Sequence, residues 1–472
     1  MVHFPKHKLA KWTRGEWVNP RQHAEIAGFS IDSRNIDRKQ MFIALRSQSR
    51  DGHAFVPDAE RRGASAALTE EVVSNSRIPQ LKVKKGVNAL QSIAHHHRNA
   101  FSGPVVGVTG SCGKTSTKDL LSHLLGENRV LKTAGNLNNY LGVPLTLLRL
   151  DDQRHDFGVI EAGINRKDEM ADLARIIDAD YGIVTMIGHA HLELLETLEN
   201  VAREKASLLR VGKAKQGLVY PASCLRYRAF RDLSEAPNLV LTPLGQQLPE
   251  LDWIRPVSYW CLLDDCNRWN LYLCGKDGIQ RRFIIPSMSP GMRQNLALAI
   301  VTASELGVAD QILQERLLRW YPSDNRGQVL RCGNTWIYSD CYNANPDSMR
   351  DSLLAFESTF EHGLPRLFVL GTMYELGDDA ASFHRQVTQR LKVRDQDQFI
   401  LVGDQAAAYE EGLQVHGLTP EQVRCVASVS EIPQAVSSFE GVVFLKGSRL
   451  NRLENLIPAE AEKIVLETGK LC

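Results

Sequence analysis

With 472 residues, 43% of them hydrophobic and 24% charged, the chain has the composition of a folded globular protein, and its length suggests roughly three domains. Lys and Arg number 56 against 55 Asp and Glu, so the basic excess that marks a nucleic-acid binder is missing. Nine cysteines, an odd number spread from Cys112 to Cys472, make no dense disulfide framework.

The opening run MVHFPKHKLAKWTRGEW lacks the apolar stretch of a signal peptide, and no segment nears the ~18 apolar residues of a membrane span. A cytoplasmic, thiol-reduced protein is expected, with neither membrane nor nucleic acid as partner. GFSIDSRNID, MFIALRS and SAALTEE read as short strands broken by turn-formers, and HAFVPDAERRG as a helix ending on Gly. In LQSIAHHHRNAF the helical pattern continues through His95, His96 and His97. Three adjacent residues cannot face one ion, so these are read as a solvated helix face.

Ser102, Gly103 and Pro104 mark a boundary. VVGVTG then reads as a strand and KTSTKDLLSHLL as a helix, followed by FGVIEAG (strand), DLARII (helix) and YGIVTMIG (strand). This alternation predicts a parallel sheet with helices on its faces. Within 251–285, SYWCLLDD and RWNLYLCG switch to period two, which predicts a small antiparallel insert. Cys261, Cys266 and Cys274 fall there at no zinc spacing and are read as packing residues. After a break at Tyr321–Asp324, the strands TWIYSD, RLFVLG, QFILVG and VVFLKG predict a second α/β domain.

The strongest local signal is GVTGSCGKTST, Gly107 to Thr117, between a strand and a helix. Glycines let backbone N–H groups converge on phosphate oxygens, and the helix N-terminus favours anions. Gly110, Ser111, Cys112, Gly113, Lys114, Thr115 and Ser116 are the candidate phosphate-binding residues. Lys114 would neutralise the outer phosphates and the Thr115 hydroxyl would hold Mg²⁺. Val108 stands where the strict Walker pattern has Gly. Glu161, at the carboxyl end of its strand, would face a ligand crevice. His191, after the next strand, could supplement oxygen ligands to the metal. Lys205 is a cation and by itself reads as a solvated helix lysine.

TGSCGKTSTKDLL, TAGNLNNYLGVPLTLL, IEAG, AHLE, DCYNANPDSM, GTMYELG with a following His, and KGSR occur in the order found in Mur ligases. IDSR at 31–34, MFIAL and DGHAF resemble that family's uridine-nucleotide-binding domain. The resemblance spans roughly residues 25 to 460, and GNLNN with YNANPDSM points to the branch that adds D-alanyl-D-alanine to UDP-N-acetylmuramoyl-tripeptide.

The resemblance implies three α/β domains: a UDP-substrate domain (1–101), a central phosphate-loop parallel-sheet ATPase domain (102–321) and a Rossmann-like C-terminal domain (322–472). It implies ATP-dependent ligation through an acyl phosphate in peptidoglycan precursor synthesis, by a monomer. Lys114, His191, Lys205 and Arg326 would be catalytic. Thr115, Glu161, His191 and a carbamylated Lys205 would hold two Mg²⁺ ions. Asn295, Arg326, Asp340 and Tyr342 would meet the nucleotide. Ser33 and Arg34 would bind the uridine part. Asn138, Asn139, Asn343 and Asn345 would line the peptide side, although Asn is also a common turn-former.

Several positions depart from the family pattern. Cys112 replaces an Asn and Ser116 a Thr in the loop. Ser207 replaces a Glu two residues after Lys205. The segment before Asn295 is two residues short and lacks its His, Asn325 replaces the Gly before Arg326, and Thr372 replaces an Asp. RSQSRDGH also lacks a Gly of the uridine-binding run. These departures leave two alternatives beside the main expectation, a related ligase with another substrate and an inactive scaffold paralogue.

Overall fold

Among the described residues, β-branched and aromatic runs form the strands of three sheets, of five, nine and seven strands, and the connecting amphipathic segments form helices. The structure is a computed structural model that describes residues 2–19, 24–211, 216–233, 237–360 and 363–464; Cys472 lies outside these. The chain forms two compact units, one of Met1–Thr109, Leu125–Ile183 and Glu204–Leu218, the other of Gly110–Leu124, Val184–Arg203 and Val219–Cys472.

In the first unit, the five-stranded sheet runs Glu16–Val18, Gln80–Lys82, Ala66–Thr69, Gln40–Ile43 and Gly28–Ser30 in spatial order. Its pairings are parallel except that of Glu16–Val18 with Gln80–Lys82. The three expected N-terminal strand segments are all present. Gly86–Ala100 is the helix that carries the three histidines, and its face is less solvated than expected. His97 packs on Phe4 with ring centroids 4.9 Å apart and its Nε2 lies 2.9 Å from the Leu150 carbonyl oxygen. His96 stacks on Trp12. His95 and His97 are half-buried and only His96 is exposed, so the face is part packed and part solvated.

The same unit holds the parallel strands Val130–Lys132, Phe157–Glu161 and Val105–Thr109 in that order. Fully buried Val105–Thr109 reads as the unbroken apolar run of a covered parallel strand.

In the second unit, the period-two segment is an antiparallel meander. Ile254–Leu263 pairs with Trp269–Cys274, which pairs with Gln280–Ile285. Cys261 and Cys274 are half-buried, but Cys266 is exposed in the connecting turn, so packing does not account for it. The seven-stranded sheet contains all four expected C-terminal strands in parallel register, ordered Gln398–Val402, Arg366–Gly371, Val442–Lys446 and Thr335–Ser339. A strand not anticipated, Gln328–Cys332, pairs antiparallel with Thr335–Ser339. Met349, Phe356, Phe368, Phe399 and Phe444 pack one face of this sheet, and Ile337, Val369, Val443 and Leu445 the other. Burial on both faces is what a parallel sheet requires. Among the described residues no helix is long and apolar enough to cross a membrane.

Candidate active site

The phosphate loop is held by two glycines where any side chain would be strained. Gly110 has φ +149°, and a Cβ there would collide with Thr185 Oγ1. Gly113 has φ +80°, and a Cβ would collide with the side-chain amide of Asn295. Ser111 Oγ donates to the Gly188 carbonyl (3.0 Å) and accepts from the Gly188 N–H (2.9 Å). The Thr185 hydroxyl donates to the Cys112 carbonyl. The helix Lys114–Leu125 starts directly after the loop, and Lys114 Nζ donates to the Gly110 carbonyl at 2.9 Å. Ser116 is buried. Burial pushes the Cys112 thiol pKa up, so this sulfur resists forming a thiolate.

Several residues far apart in sequence meet this loop. Arg326 Nη2 donates to Thr115 Oγ1 at 3.1 Å, and its guanidinium lies over the Tyr342 ring at 3.9 Å. Asn325 supplies the turn that aims this arginine. Its φ is +60°, the left-handed region that Gly and Asn tolerate best, which accounts for Asn in place of Gly. Asn295 is buried on the helix Pro290–Glu305, against Gly113. That helix starts from Ser289, whose hydroxyl accepts the Met292 N–H, and from Pro290 at its first position. Asp351 accepts from Ser289 Oγ (2.5 Å) and from the Gly291 N–H (2.7 Å), anchoring the shortened segment before Asn295.

Asp340 follows the strand Thr335–Ser339 and takes the charge of Lys446, whose Nζ donates to Asp340 Oδ2 at 2.6 Å. Lys446 is only 1% exposed and also donates to the Asn343 carbonyl at 3.3 Å. Ser352 Oγ donates to the same Asp340 oxygen. Asn345 caps the helix Pro346–Thr359 in a reciprocal capping box with Ser348. Its side-chain oxygen is therefore occupied by a backbone N–H. Thr372 is buried where its hydroxyl donates to the Val402 carbonyl at 3.2 Å.

His191 has φ +56° and lies with Nδ1 2.7 Å from Glu375 Oε2. That hydrogen bond, aided by the charges of His191 and Lys114, holds the Glu375 carboxylate below its ordinary range. His384 fixes the backbone beside Glu375: its Nε2 accepts the Met373 N–H at 2.8 Å.

In the first unit, Glu161 ends its strand 1% exposed and accepts from Asn138 Nδ2 at 2.8 Å. Its backbone N–H donates to Thr133 Oγ1 at 2.9 Å. Asn139 Oδ1 accepts the N–H groups of Leu141 and Gly142, the turn-forming role. Lys205 is fully buried (0% exposed) on the helix Leu198–Val211, so the solvated-lysine reading fails. Ser207 is buried as well, and the neighbouring Glu204 accepts the Asp168 N–H at 2.6 Å. Ser33 is buried, whereas exposed Arg34 folds back on Asp32 through two side-chain hydrogen bonds. A Cβ at Gly52 would lie 2.6 Å from the Leu45 carbonyl oxygen, so the DGH turn depends on this Gly.

Among the described residues no three His, Cys, Asp or Glu side chains gather as a self-sufficient metal cage. Mg²⁺ is typically held by one or two carboxylates together with substrate phosphates. In the first unit Glu161 supplies a buried strand-end carboxylate of that kind. In the second, the Thr115 hydroxyl stands at the start of the phosphate-loop helix. Lys446, Glu375 and Asp351 were not assigned from sequence. KGSR and GTMYELG flagged the first two positions without revealing their partners.

A glycine-built phosphate loop, its helix lysine and an arginine on the loop threonine define a nucleoside-triphosphate enzyme of the α/β class. Family models describe the "Mur ligase family, catalytic domain" at residues 25–98, the "Mur ligase middle domain" at 108–251 and the "Mur ligase, glutamate ligase domain" at 325–449. The chain belongs to the Mur ligase family, and its fold is the three-domain α/β architecture of that family. A Synechocystis UDP-N-acetylmuramoyl-tripeptide–D-alanyl-D-alanine ligase is 31% identical over 395 residues, covering 82% of this chain and 81% of that protein. The crystal structure of MurF from Acinetobacter baumannii superposes with a TM-score of 0.82 at 25% identity, covering 97% of this chain and 98% of that one. MurF from Thermotoga maritima in complex with ADP gives a TM-score of 0.75 at 25% identity, with 91% and 96% covered.

Proposed function

We propose that this chain is an ADP-forming, ATP-dependent amide ligase that joins D-alanyl-D-alanine to UDP-N-acetylmuramoyl-tripeptide in cytoplasmic peptidoglycan precursor synthesis. The observation that carries the reading is Arg326 donating to Thr115 at the start of the phosphate-loop helix, beside Lys114. The activities named for the relatives support the substrate choice.

In the reaction, a carboxylate oxygen of the tripeptide attacks the γ-phosphorus. The new O–P bond forms as the bond to ADP breaks, leaving an acyl phosphate. The amine of D-alanyl-D-alanine then attacks the acyl carbon, loses a proton, and phosphate leaves. The first step brings two anions together, so Lys114 and Arg326 act by offsetting that charge. Asn295 supports the loop at Gly113, and Tyr342 stacks beneath Arg326, so both sit where a nucleotide on this loop would be met. Asp340 holds the buried Lys446. In the second unit Thr115 and His191, and in the first unit Glu161 and a carbamylated Lys205, are the residues that would hold Mg²⁺. Bound there, the metal would neutralise phosphate charge.

We assign Ser33 and Arg34 to the uridine part, and Asn138 with Asn343 to the peptide side. Asn139 through its turn and Asn345 through its cap shape the backbone next to them. The functional division follows 1–101, 102–321 and 322–472, in a monomer. The test is ADP release with UDP-N-acetylmuramoyl-tripeptide, with and without D-alanyl-D-alanine, plus the product mass. Release that needs both substrates and yields the pentapeptide mass supports the reading. ATP binding without turnover on these substrates would sink the substrate assignment, and failure to bind ATP would sink the enzyme assignment.

A further inference from the structure

The segment between Thr185 and Glu196 carries His191 and is gripped from three sides, all within the second unit. Ser111 of the phosphate loop exchanges two hydrogen bonds with Gly188. Glu375 meets His191. The third grip belongs to none of the residues assigned above. Asp347 Oδ2 accepts the His189 N–H at 2.8 Å, and the His189 ring Nδ1 lies 3.2 Å from the same oxygen.

Local construction favours this contact. Asp347 is in the first turn of Pro346–Thr359, after the Asn345 cap and Pro346, where a carboxylate suits the helix dipole. The approach works because residue 188 is Gly: a Cβ there would collide with Asp347 Oδ2. The His189 ring also tilts onto Phe383, centroids 5.1 Å apart. One carboxylate thus accepts a backbone N–H two residues before His191. The adjacent peptide group, Gly188, is the one bonded to the phosphate loop.

We infer that Asp347 is a positioning residue. Through the His189 N–H it fixes the 188–191 backbone, and thereby sets His191 relative to the phosphate loop. This rests on the ligase reading for its kinetic consequence and on the hydrogen bond alone for its conformational one.

The test compares Asp347→Ala with Asp347→Asn, because Asn keeps an oxygen that can accept the His189 N–H. In the substrate-free protein, hydrogen–deuterium exchange of the peptide around 187–191 should quicken about tenfold in Asp347→Ala and stay near wild type in Asp347→Asn. In the ligase assay, Asp347→Ala should lower kcat about tenfold while KM for the dipeptide moves less than about twofold, and Asp347→Asn should restore most of the rate. Unchanged exchange in Asp347→Ala, or an Asn variant as impaired as Ala, would overturn the inference. So would a rate loss that only tracks a lower melting temperature. A wild type that turns over no ATP would count against the ligase reading, while the exchange comparison would still decide this one.

Discussion

His191 and Glu375 face each other with Nδ1 and Oε2 2.7 Å apart, and both hold left-handed backbone, φ +56° and +66°. Such conformations cost non-glycine residues about 1–3 kcal/mol each and persist only where surroundings enforce them. Two of them meeting in one hydrogen-bonded contact beside the phosphate loop marks a site shaped for geometry before stability. Glu375→Ala removes the partner that orients the imidazole. Its kcat is expected to fall at least about tenfold, measured by ADP release. Glu375→Gln, which retains an acceptor, should lose less. Equal activity in all three proteins would show that the pair does not matter.

The charge argument for the first chemical step makes Lys114 the most sensitive position. Lys114→Ala should lower turnover by about a thousandfold or more, with circular dichroism and melting temperature near wild type. Persistence of substantial activity would remove the phosphate-loop assignment.

Lys205 is fully buried, so truncating it changes the interior of its helix and not a solvated surface. The proposed carbamylation would convert it into an anion suited to a metal. Lys205→Ala is therefore expected to lose about a hundredfold or more of activity, and short-chain carboxylates should restore part of it. Loss without any rescue would argue for a purely structural lysine.

The phosphate loop was legible because each residue there answers a local demand. Gly110 and Gly113 are glycines for want of space, and Lys114 begins a helix. The four C-terminal strands were legible for the same reason, since burial on both faces writes a continuous apolar run. Asn325 looked like a departure only until its φ of +60° was known. What sequence could not supply were partners distant along the chain. Nothing local ties Lys446 to Asp340, or places Asp351 at the start of the Asn295 helix. The asparagines were ambiguous because one side chain can line a ligand or cap a turn, and Asn139 and Asn345 present their oxygens to backbone N–H groups.

His384 contributes a pH-dependent part of the stability. It is 0% exposed, accepts the Met373 N–H at Nε2, and its Nδ1 lies 2.6 Å from the Ala380 carbonyl oxygen, which suits the neutral ring protonated at Nδ1. Burial lowers its pKa below the ordinary 6.5. Between the lowered folded value and the unfolded value, the unfolded chain binds the extra proton. Stability from this group is therefore complete above about pH 6.5 and declines as pH falls through that window, by up to about 1.4 kcal/mol per pH unit. Urea unfolding of wild type and His384→Gln at pH 7.5 and 5.5 checks it. The variant should be less stable at pH 7.5 and should lose less stability on going to pH 5.5. Equal losses in both proteins would assign the acid sensitivity elsewhere, with half-buried His97, also lowered by burial, the next residue to vary.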